Sequence, residues 1–184
     1  PMTTPEEPGA PPSAALTIRS LFNLYANVRP CYSLPNVPSL KPSIDLVVVR
    51  ENTEGLYSGI EFDVDNETAV AMRVVSRRAS ERIARFAFRL AANRRKRLAY
   101  VHKANILRRT DGIFNHAVLQ VAKEFPTVSV EGYHIDAMAM QLVKGPEAFD
   151  VIVTTNLFGD ILSDEAAQLV GGLGVVAGAN MGEN

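Results

Sequence analysis

The stretch DVIVTTNLFGDILSDEAAQLVGG, residues 150–172, decides the fold class of this chain. Residues 150–154 are a short β-branched run bounded by polar residues, and such a run predicts a buried strand. A helix is predicted over residues 161–170, ending where Gly171 and Gly172 favour helix termination. A buried strand that leads directly into a helix is the repeating unit of α/β proteins.

The same alternation extends through the rest of the chain. Further strands are predicted at residues 45–50 (DLVVVR), 98–102 (LAYVH) and 128–135, with an extended stretch at residues 68–75. Helices are predicted at residues 16–25, 111–124 and 138–143, and another is expected to begin at Ser76 or Ser80 and end near Asn93. A turn is predicted around Pro30. Alternating strands and helices indicate an α/β sandwich.

Composition excludes several functional classes. The 184 residues are 47% hydrophobic, which is enough for one sizeable core. The 19 basic residues are balanced by 20 acidic ones, so no global basic field is available for nucleic acid. The single cysteine, Cys31, cannot form an internal disulfide, and no apolar run approaches the roughly 18 residues of a membrane span. We therefore expect a soluble protein of a reducing compartment, with neither a nucleic acid nor a membrane as partner.

Three segments do not fit the alternation. Residues 1–12 are rich in proline and are predicted to be a loop, and residues 175–184 read as a loop that leads onward, so a fragment of a longer protein is expected. The polar stretch of residues 55–66 is interpreted as an excursion used for self-association.

Two carboxylates in the opening stretch suggest a metal site. Asp160 and Asp164 are four residues apart and therefore lie on one face of a helix. Mg²⁺ or Mn²⁺, which prefers hard oxygen ligands, would relieve the repulsion between them. The alternative is a solvated helix N-terminus, where acidic residues are favoured by the helix dipole. Spacing alone favours this alternative.

Arginines form a second set of candidates. Arg19, Arg29 and Arg50 each lie at the edge of an apolar segment and could converge on a polycarboxylate, because a guanidinium binds a carboxylate through two parallel hydrogen bonds. Each one taken alone is more often an ordinary surface arginine. The basic run at residues 94–97 is interpreted as a solvated helix end without function.

Two residues are candidates for proton transfer. Lys103 follows a predicted strand in VHKAN, and Tyr57 lies in EGLYSG, so both occupy turns from which a side chain can reach a cleft. Burial or a nearby cation lowers the pKa of a lysine and lets it exchange a proton near neutral pH. An interface role is the commoner alternative for both residues.

Four motifs in order carry a family resemblance. NVRP at residues 27–30, VRENTEGLYSG at 49–59, VHKAN at 101–105 and NLFGDILSDEAAQLVGGLG at 156–174 together resemble the isocitrate and isopropylmalate dehydrogenase family. The resemblance covers almost the entire chain and reverses the preference at Asp160 and Asp164 in favour of a metal. It implies a three-layer α/β/α fold with a mixed sheet, from which the first and last parts of the large domain are missing.

The resemblance implies a reaction and a role for each candidate residue. A 3-substituted malate is oxidised by hydride transfer to a nicotinamide cofactor and then loses CO₂, with Mg²⁺ or Mn²⁺ as Lewis acid. Lys103 would act in deprotonating the hydroxyl, and Tyr57 would protonate the enolate. The implied substrate-binding residues are Ser13, Arg19, Arg29 and Arg50, and the implied metal ligands are Asp136, Asp160 and Asp164.

In this family the active site is shared between two subunits, so a homodimer or higher oligomer is implied, with Lys103 and Asp136 acting in the partner's site. The implied division of the chain is a remnant of the large domain at residues 1–24, a small substrate and dimer domain with an intersubunit clasp at 25–169, and a return toward the large domain at 170–184. A monomer should be inactive.

The resemblance leans toward isocitrate as substrate, with homoisocitrate next and 3-isopropylmalate third. Ser13 matches the serine of isocitrate-using relatives, whereas Ala15 replaces their asparagine. NAD is favoured over NADP by overall likeness, and no cofactor-binding residue is assigned. The expected location is the cytoplasm, or the mitochondrial matrix in a eukaryote. A truncated noncatalytic or regulatory subunit is the alternative, and the chain alone is expected to be inactive.

Overall fold

A computed structural model describes residues 13–183. The strands in this part of the chain are β1 (Ala26–Tyr32), β2 (Asp45–Glu51), β3 (Glu61–Asp65), β4 (Thr68–Ala71), β5 (Arg97–His102), β6 (Ser129–His134), β7 (Val151–Thr154) and β8 (Ala179–Met181). The helices are α1 (Ala14–Leu21), α2 (Arg77–Ala92), α3 (Thr110–Ala122), α4 (Ile135–Lys144) and α5 (Asn156–Leu169). No helix within residues 13–183 has the length and apolar character needed to cross a membrane.

Six strands form one mixed sheet in the order β6-β5-β7-β2-β1-β8. The four strands from β6 to β2 run parallel, whereas β1 is antiparallel to both β2 and β8. Strand β2 lies inside the sheet and is buried on both faces, because its even and odd residues enter different cores. This burial explains why DLVVVR is continuously apolar rather than alternating.

Helices cover both faces of the sheet. Ile83 and Phe88 of α2 and Phe114 of α3 pack on the face to which β2 contributes Val47 and Val49. Met138 and Leu142 of α4 and Leu162 and Ala166 of α5 pack on the face that receives Leu46 and Val48. The predicted three-layer α/β/α fold with a mixed sheet is therefore confirmed.

Helix α2 shows how sequence determines one of these layers. Ser76 is the N-cap, and its Oγ accepts a hydrogen bond from the Ala79 amide at 3.1 Å. The buried face carries Ile83, Ala84, Ala87 and Phe88, at the spacing expected for one side of a helix. Small alanines allow the helix to approach the sheet closely.

Several element boundaries were predicted incorrectly. Pro30 lies inside β1 rather than in a turn. Among the described residues only β2 pairs with β1 at this position, since β8 pairs no further than Val28. A strand tolerates the missing N–H of proline where one edge is free. Helix α1 ends at Leu21 instead of continuing to Tyr25, and the predicted loop after residue 175 contains β8. The predicted loop at residues 1–12 lies outside the described residues.

The basic run after α2 is not simply a solvated helix end. Arg94 Nε donates to Asp150 Oδ1 at 2.7 Å, and Arg94 Nη2 donates to Asp45 Oδ1 at 2.6 Å. The amide of Arg95 donates to Asp150 Oδ2 at 2.8 Å. The interpretation was wrong for Arg94, because the turn after α2 directs its side chain toward Asp45 at the start of β2 and Asp150 just before β7, whereas Arg95 is exposed. Lys96 and Arg97 are exposed, as expected.

Strands β3 and β4 form a separate antiparallel hairpin, and every residue of both strands is exposed. The hairpin includes the apolar side chains of Phe62, Val64 and Val70.

Cys31 is fully buried, and burial raises the pKa of its thiol to about 12. That thiol remains protonated at neutral pH, which agrees with its lack of an identifiable base.

Candidate active site

The carboxyl ends of three parallel strands bring the candidate residues to one edge of the sheet. Arg50 lies near the end of β2, Lys103 follows β5, and Asn156 follows β7 by two residues. Ligand sites in open α/β sheets form at this edge, because the loops that follow the parallel strands converge there. The candidate site therefore lies at this edge.

Arg50 is the centre of the first cluster. Its side chain is only 2% exposed, its Nε donates to Asn156 Oδ1 at 2.8 Å, and its Nη1 forms an ion pair with Asp160. Both partners belong to α5, which begins at Asn156 rather than at the predicted Ile161. The earlier start places Asp160 inside the helix, one turn before Asp164.

Gly159 allows α5 to pack directly on Arg50. A Cβ at position 159 would lie 2.6 Å from both Cβ and Cγ of Arg50 and 3.1 Å from its Cα. Real carbon atoms do not approach so closely, so any side chain here must displace the arginine or the helix.

We expect Gly159→Ala to destabilise the protein by about 1–3 kcal/mol, the usual cost of overpacking. Gly112→Ala is the matched control, because Gly112 also lies in a helix but a Cβ there would meet no atom within 4 Å. The control should be neutral, or more stable by up to about 1 kcal/mol from helix propensity. Urea unfolding measures both values. Equal free energies of unfolding for the two variants would show that the close packing of Gly159 on Arg50 does not exclude a side chain at position 159.

Tyr57 joins the same cluster. It lies in a single 3₁₀ turn, Leu56–Ser58, flanked by Gly55 and Gly59, both of which have positive φ. Its hydroxyl donates to Asp160 Oδ2, and the guanidinium of Arg50 lies 4.9 Å from the centre of its ring. Partial burial raises the pKa of Tyr57, and the Asp160 carboxylate raises it further. The phenol is therefore protonated at neutral pH and available as a proton donor.

Arg19 and Arg29 add positive charge to this cluster. Burial lowers the pKa of Arg19, and the charge of Arg50 lowers it further, with a smaller contribution from Arg29. Arg19 Nε is buried and has no hydrogen-bond partner among residues 13–183. Arg29 Nε donates to Asn27 Oδ1 at 3.2 Å. Arg19 and Arg50 both interact with the Asp160 carboxylate and Arg29 lies near Arg19, so the cluster has an excess of positive charge suited to an anion.

Ser13 lies at the start of α1 and is 6% exposed. Its Oγ accepts a hydrogen bond from the Leu16 amide at 3.2 Å and so caps the helix that carries Arg19. Among residues 13–183 this hydroxyl donates no hydrogen bond of its own. Its role toward a substrate stays a prediction.

Lys103 and Asp136 form a second cluster. Lys103 Nζ lies 2.7 Å from Asp136 Oδ1, and this contact is the main reason why the pKa of Asp136 is lowered. Asp136 lies in the first turn of α4 and is exposed. Within residues 13–183, no hydrogen bond or ion pair joins this pair to Asp160 or to the three arginines.

The predicted metal ligands are consequently divided between the two clusters. Asp160 belongs to the arginine cluster, Asp164 is exposed one turn further along α5, and Asp136 is paired with Lys103. The described part of the chain does not bring three histidine, cysteine or acidic groups together in a metal-binding arrangement. One chain therefore supplies two neighbouring carboxylates at one place and a third at another.

Sequence reasoning missed several residues of this edge. Asn156 received no role although it lies in the most distinctive motif. Asn180 Oδ1 accepts hydrogen bonds from Asn27 Nδ2 at 2.9 Å and from Asn52 Nδ2 at 3.1 Å, and so ties β8 to the site. Only the alternation in β1, which places Asn27 and Arg29 on the same face, could have indicated one of these residues.

Comparison with known proteins gives a consistent result. The family described as isocitrate/isopropylmalate dehydrogenase matches residues 1–184. A 3-isopropylmalate/3-methylmalate dehydrogenase of Methanocaldococcus jannaschii is 49% identical over 171 residues, which cover 90% of the chain and 51% of that protein. Mitochondrial NAD isocitrate dehydrogenase catalytic subunit 5 of Arabidopsis thaliana is 46% identical, over 100% of the chain and 49% of that protein.

The crystal structure of isocitrate dehydrogenase from Methylococcus capsulatus matches with a TM-score of 0.95 and 49% identity, covering 100% of this chain and 55% of that one. The chain thus spans about half the length of the curated relatives it matches.

Proposed function

Since the chain belongs to the isocitrate/isopropylmalate dehydrogenase family, we propose that it carries the substrate-handling part of an enzyme that oxidatively decarboxylates a 3-substituted malate. The favoured substrate is isocitrate, converted to 2-oxoglutarate with NAD and a divalent metal. The observation that supports this proposal best is the convergence of Arg19, Arg50, Tyr57 and Asp160 at one edge of the sheet.

The arginines bind the substrate carboxylates. Arg50 is held rigidly by Asn156 and Asp160, whereas the buried Nε of Arg19 donates to none of the described residues, so the Arg19 guanidinium is left to bind an anionic ligand. Arg29 approaches from the neighbouring strand β1. A tricarboxylate offers carboxylates to several guanidinium groups at once, which favours isocitrate and homoisocitrate over the dicarboxylate 3-isopropylmalate. Ser13 would contact the distal carboxylate.

The donor set fits Mg²⁺ or Mn²⁺. All three proposed ligands are carboxylates, the hard oxygen donors that these ions prefer, and Asp160 and Asp164 share one face of α5. Asp136 would complete the set from a second copy of the chain. The bound ion would supply Lewis acidity toward the substrate hydroxyl and the adjacent carboxylate.

Lys103 and Tyr57 move the protons of the reaction. Lys103 Nζ takes the proton of the substrate hydroxyl, and bound NAD would supply the acceptor for the hydride from the carbon that carries this hydroxyl. After the β-carboxylate leaves as CO₂, Tyr57 delivers its phenolic proton to the carbon that has lost it. The raised pKa of Tyr57 keeps that proton in place at neutral pH.

Two exposed apolar surfaces support a dimer. On α4 and α5, Met140 is 61% exposed, Val143 60% and Ile161 53%, and the β3–β4 hairpin exposes Phe62 and Val64. Patches of this kind commonly mark protein interfaces. We infer that a second copy covers both surfaces, with the hairpin as intersubunit clasp, and that Lys103 and Asp136 reach the partner's Arg50–Asp160 cluster.

We also propose the domain division that the family resemblance implies, although residues 1–12 and 184 lie outside the described residues. Residues 1–24 would belong to a large domain, residues 25–169 would form the small substrate and dimer domain, and residues 170–184 would return toward the large domain. The proposed location is the cytoplasm or the mitochondrial matrix.

The substrate is tested by NADH formation with Mn²⁺ in an extended version of the chain, carrying the segments by which its relatives are longer. Isocitrate, homoisocitrate and 3-isopropylmalate are compared at equal concentration, with NADP replacing NAD in a parallel series. The highest kcat/KM is expected for isocitrate with NAD. A preference for 3-isopropylmalate would reassign the substrate within the family, and inactivity toward all three would favour a noncatalytic or regulatory subunit.

Mixing two defective variants tests whether the site is shared. Lys103→Met and Tyr57→Phe should each be nearly inactive as homodimers. A heterodimer of the two has one site with neither defect only if Lys103 acts in trans. Random pairing should therefore restore about a quarter of wild-type activity, because half of the dimers are mixed and each has one intact site. No restoration in a mixture shown to contain heterodimers would place Lys103 and Tyr57 in the same subunit's site.

A further inference from the structure

A buried carboxylate lies directly behind Lys103. Asp111, in the first turn of α3, is 0% exposed. Its Oδ2 accepts a hydrogen bond from the backbone N–H of Lys103 at 2.5 Å, and its Oδ1 forms an ion pair with Arg73. Asp111 therefore fixes the backbone from which the Lys103 side chain extends.

Arg73 connects this carboxylate to the β3–β4 hairpin and to the start of α5. It follows the β3–β4 hairpin by two residues and is 13% exposed. Its Nη1 donates to Thr110 Oγ1 at 2.9 Å, and its Nη2 donates to Thr155 Oγ1 at 2.8 Å. The guanidinium also lies 5.1 Å from the ring centre of Phe158. Thr155 is the N-cap of α5, the helix that carries Asp160.

We propose that Asp111 and Arg73 are positioning residues that hold Lys103 at a fixed position relative to the start of α5 and the base of the hairpin. The inference rests on the proposed function, since it assigns Lys103 its catalytic role. If Lys103 serves the partner's site while Asp160 serves its own, the Asp111–Arg73 pair joins elements of both sites in the dimer. A movement of the hairpin would then be transmitted through Arg73 to elements of both active sites.

The competing explanation is that this pair only stabilises the fold. Breaking one partner of a buried ion pair is costly wherever it lies, so a loss of stability cannot distinguish the two explanations. The chain offers a matched control in Asp150, which is 1% exposed. Asp150 Oδ1 pairs with Arg94 and Oδ2 accepts from the Arg95 amide, but this carboxylate lies at the amino ends of the strands, opposite the site.

The test compares Asp111→Asn with Asp150→Asn in the extended protein with Mn²⁺ and isocitrate. Both variants should lose stability in urea unfolding. Only Asp111→Asn should lower kcat, by about 10-fold or more, because small misplacements of a catalytic group are costly. Its KM should change less than about twofold, since the three arginines do not contact Asp111. Amide hydrogen exchange of residues 103–107 should accelerate in Asp111→Asn and not in Asp150→Asn.

Wild-type kcat with unchanged exchange at residues 103–107 in Asp111→Asn would overturn the inference, as would an equal loss of kcat in both variants. Should Asp111→Asn fail to fold, Arg73→Lys keeps the charge but loses the fork that reaches Asp111 and Thr155, and the same kcat and exchange changes are expected. If the wild-type protein turns over none of the three malates, the proposed function fails. The exchange comparison then still decides whether Asp111 positions Lys103.

Discussion

Replacing Lys103 with methionine should lower kcat of the extended protein by at least about 100-fold, the usual contribution of a general acid–base group. Methionine keeps the length and apolar stem of lysine but cannot carry the proton. The affinities for Mn²⁺ and substrate should change little. The substitution also removes the ion pair with Asp136. Because 68% of the Asp136 side chain is exposed to water, losing this pair should lower the free energy of unfolding only slightly.

Lys123→Met is the control for this substitution. Lys123 is exposed at the end of α3, and its Nζ contacts only Gln120 Oε1, at 2.9 Å, among the described residues. That variant should keep wild-type kinetics. The measurement is steady-state NADH formation, with Mn²⁺ binding followed separately. Near-normal turnover of Lys103→Met would remove Lys103 from the proposed chemistry.

Asp160→Asn should weaken Mn²⁺ binding by about 10-fold or more, because it replaces a charged oxygen ligand with a neutral one. It should also destabilise the protein, since Asp160 is the only carboxylate paired with the buried Arg50 in the described part of the chain. Metal binding and stability are thus expected to fall together in this variant.

Asp164→Asn separates the two effects. Asp164 is exposed and has no ion pair within residues 13–183, so its loss should weaken Mn²⁺ binding without a comparable loss of stability. Glu147→Gln, in the exposed turn that precedes β7 and lies opposite the site, should change neither property. Mn²⁺ titration and urea unfolding measure the pair of values for each variant. Unchanged Mn²⁺ affinity in Asp160→Asn would contradict the metal assignment.

The layers of the fold could be predicted because the central strands have distinctive apolar sequences. DLVVVR and DVIVT each contain an uninterrupted apolar run, which is typical of a strand buried on both faces. Boundaries were less predictable. Asn156 looks like a loop residue, yet it begins α5 because its side chain binds Arg50 and the Glu54 carbonyl. Pro30 resembles a turn signal, yet it is accommodated within β1 where β8 no longer pairs.

Side-chain partners distant in sequence were not predictable from local pattern. Arg94 appeared to be part of a solvated basic run, but the strand order brings the first residues of β2 and β7 beside it. The Arg73–Asp111 pair likewise depends on where a hairpin returns relative to a helix. The family resemblance supplied the proposed roles of Arg19, Arg50 and Tyr57, whereas composition and spacing left each of them ambiguous.

The measurement that tests the central claim most directly is the ratio of CO₂ to NADH formed from isocitrate and NAD by the extended protein, with Mn²⁺ and after chelation of the metal. We expect one CO₂ for each NADH with Mn²⁺ and neither product after chelation. NADH without CO₂, or full activity after chelation, would contradict metal-dependent oxidative decarboxylation at this site.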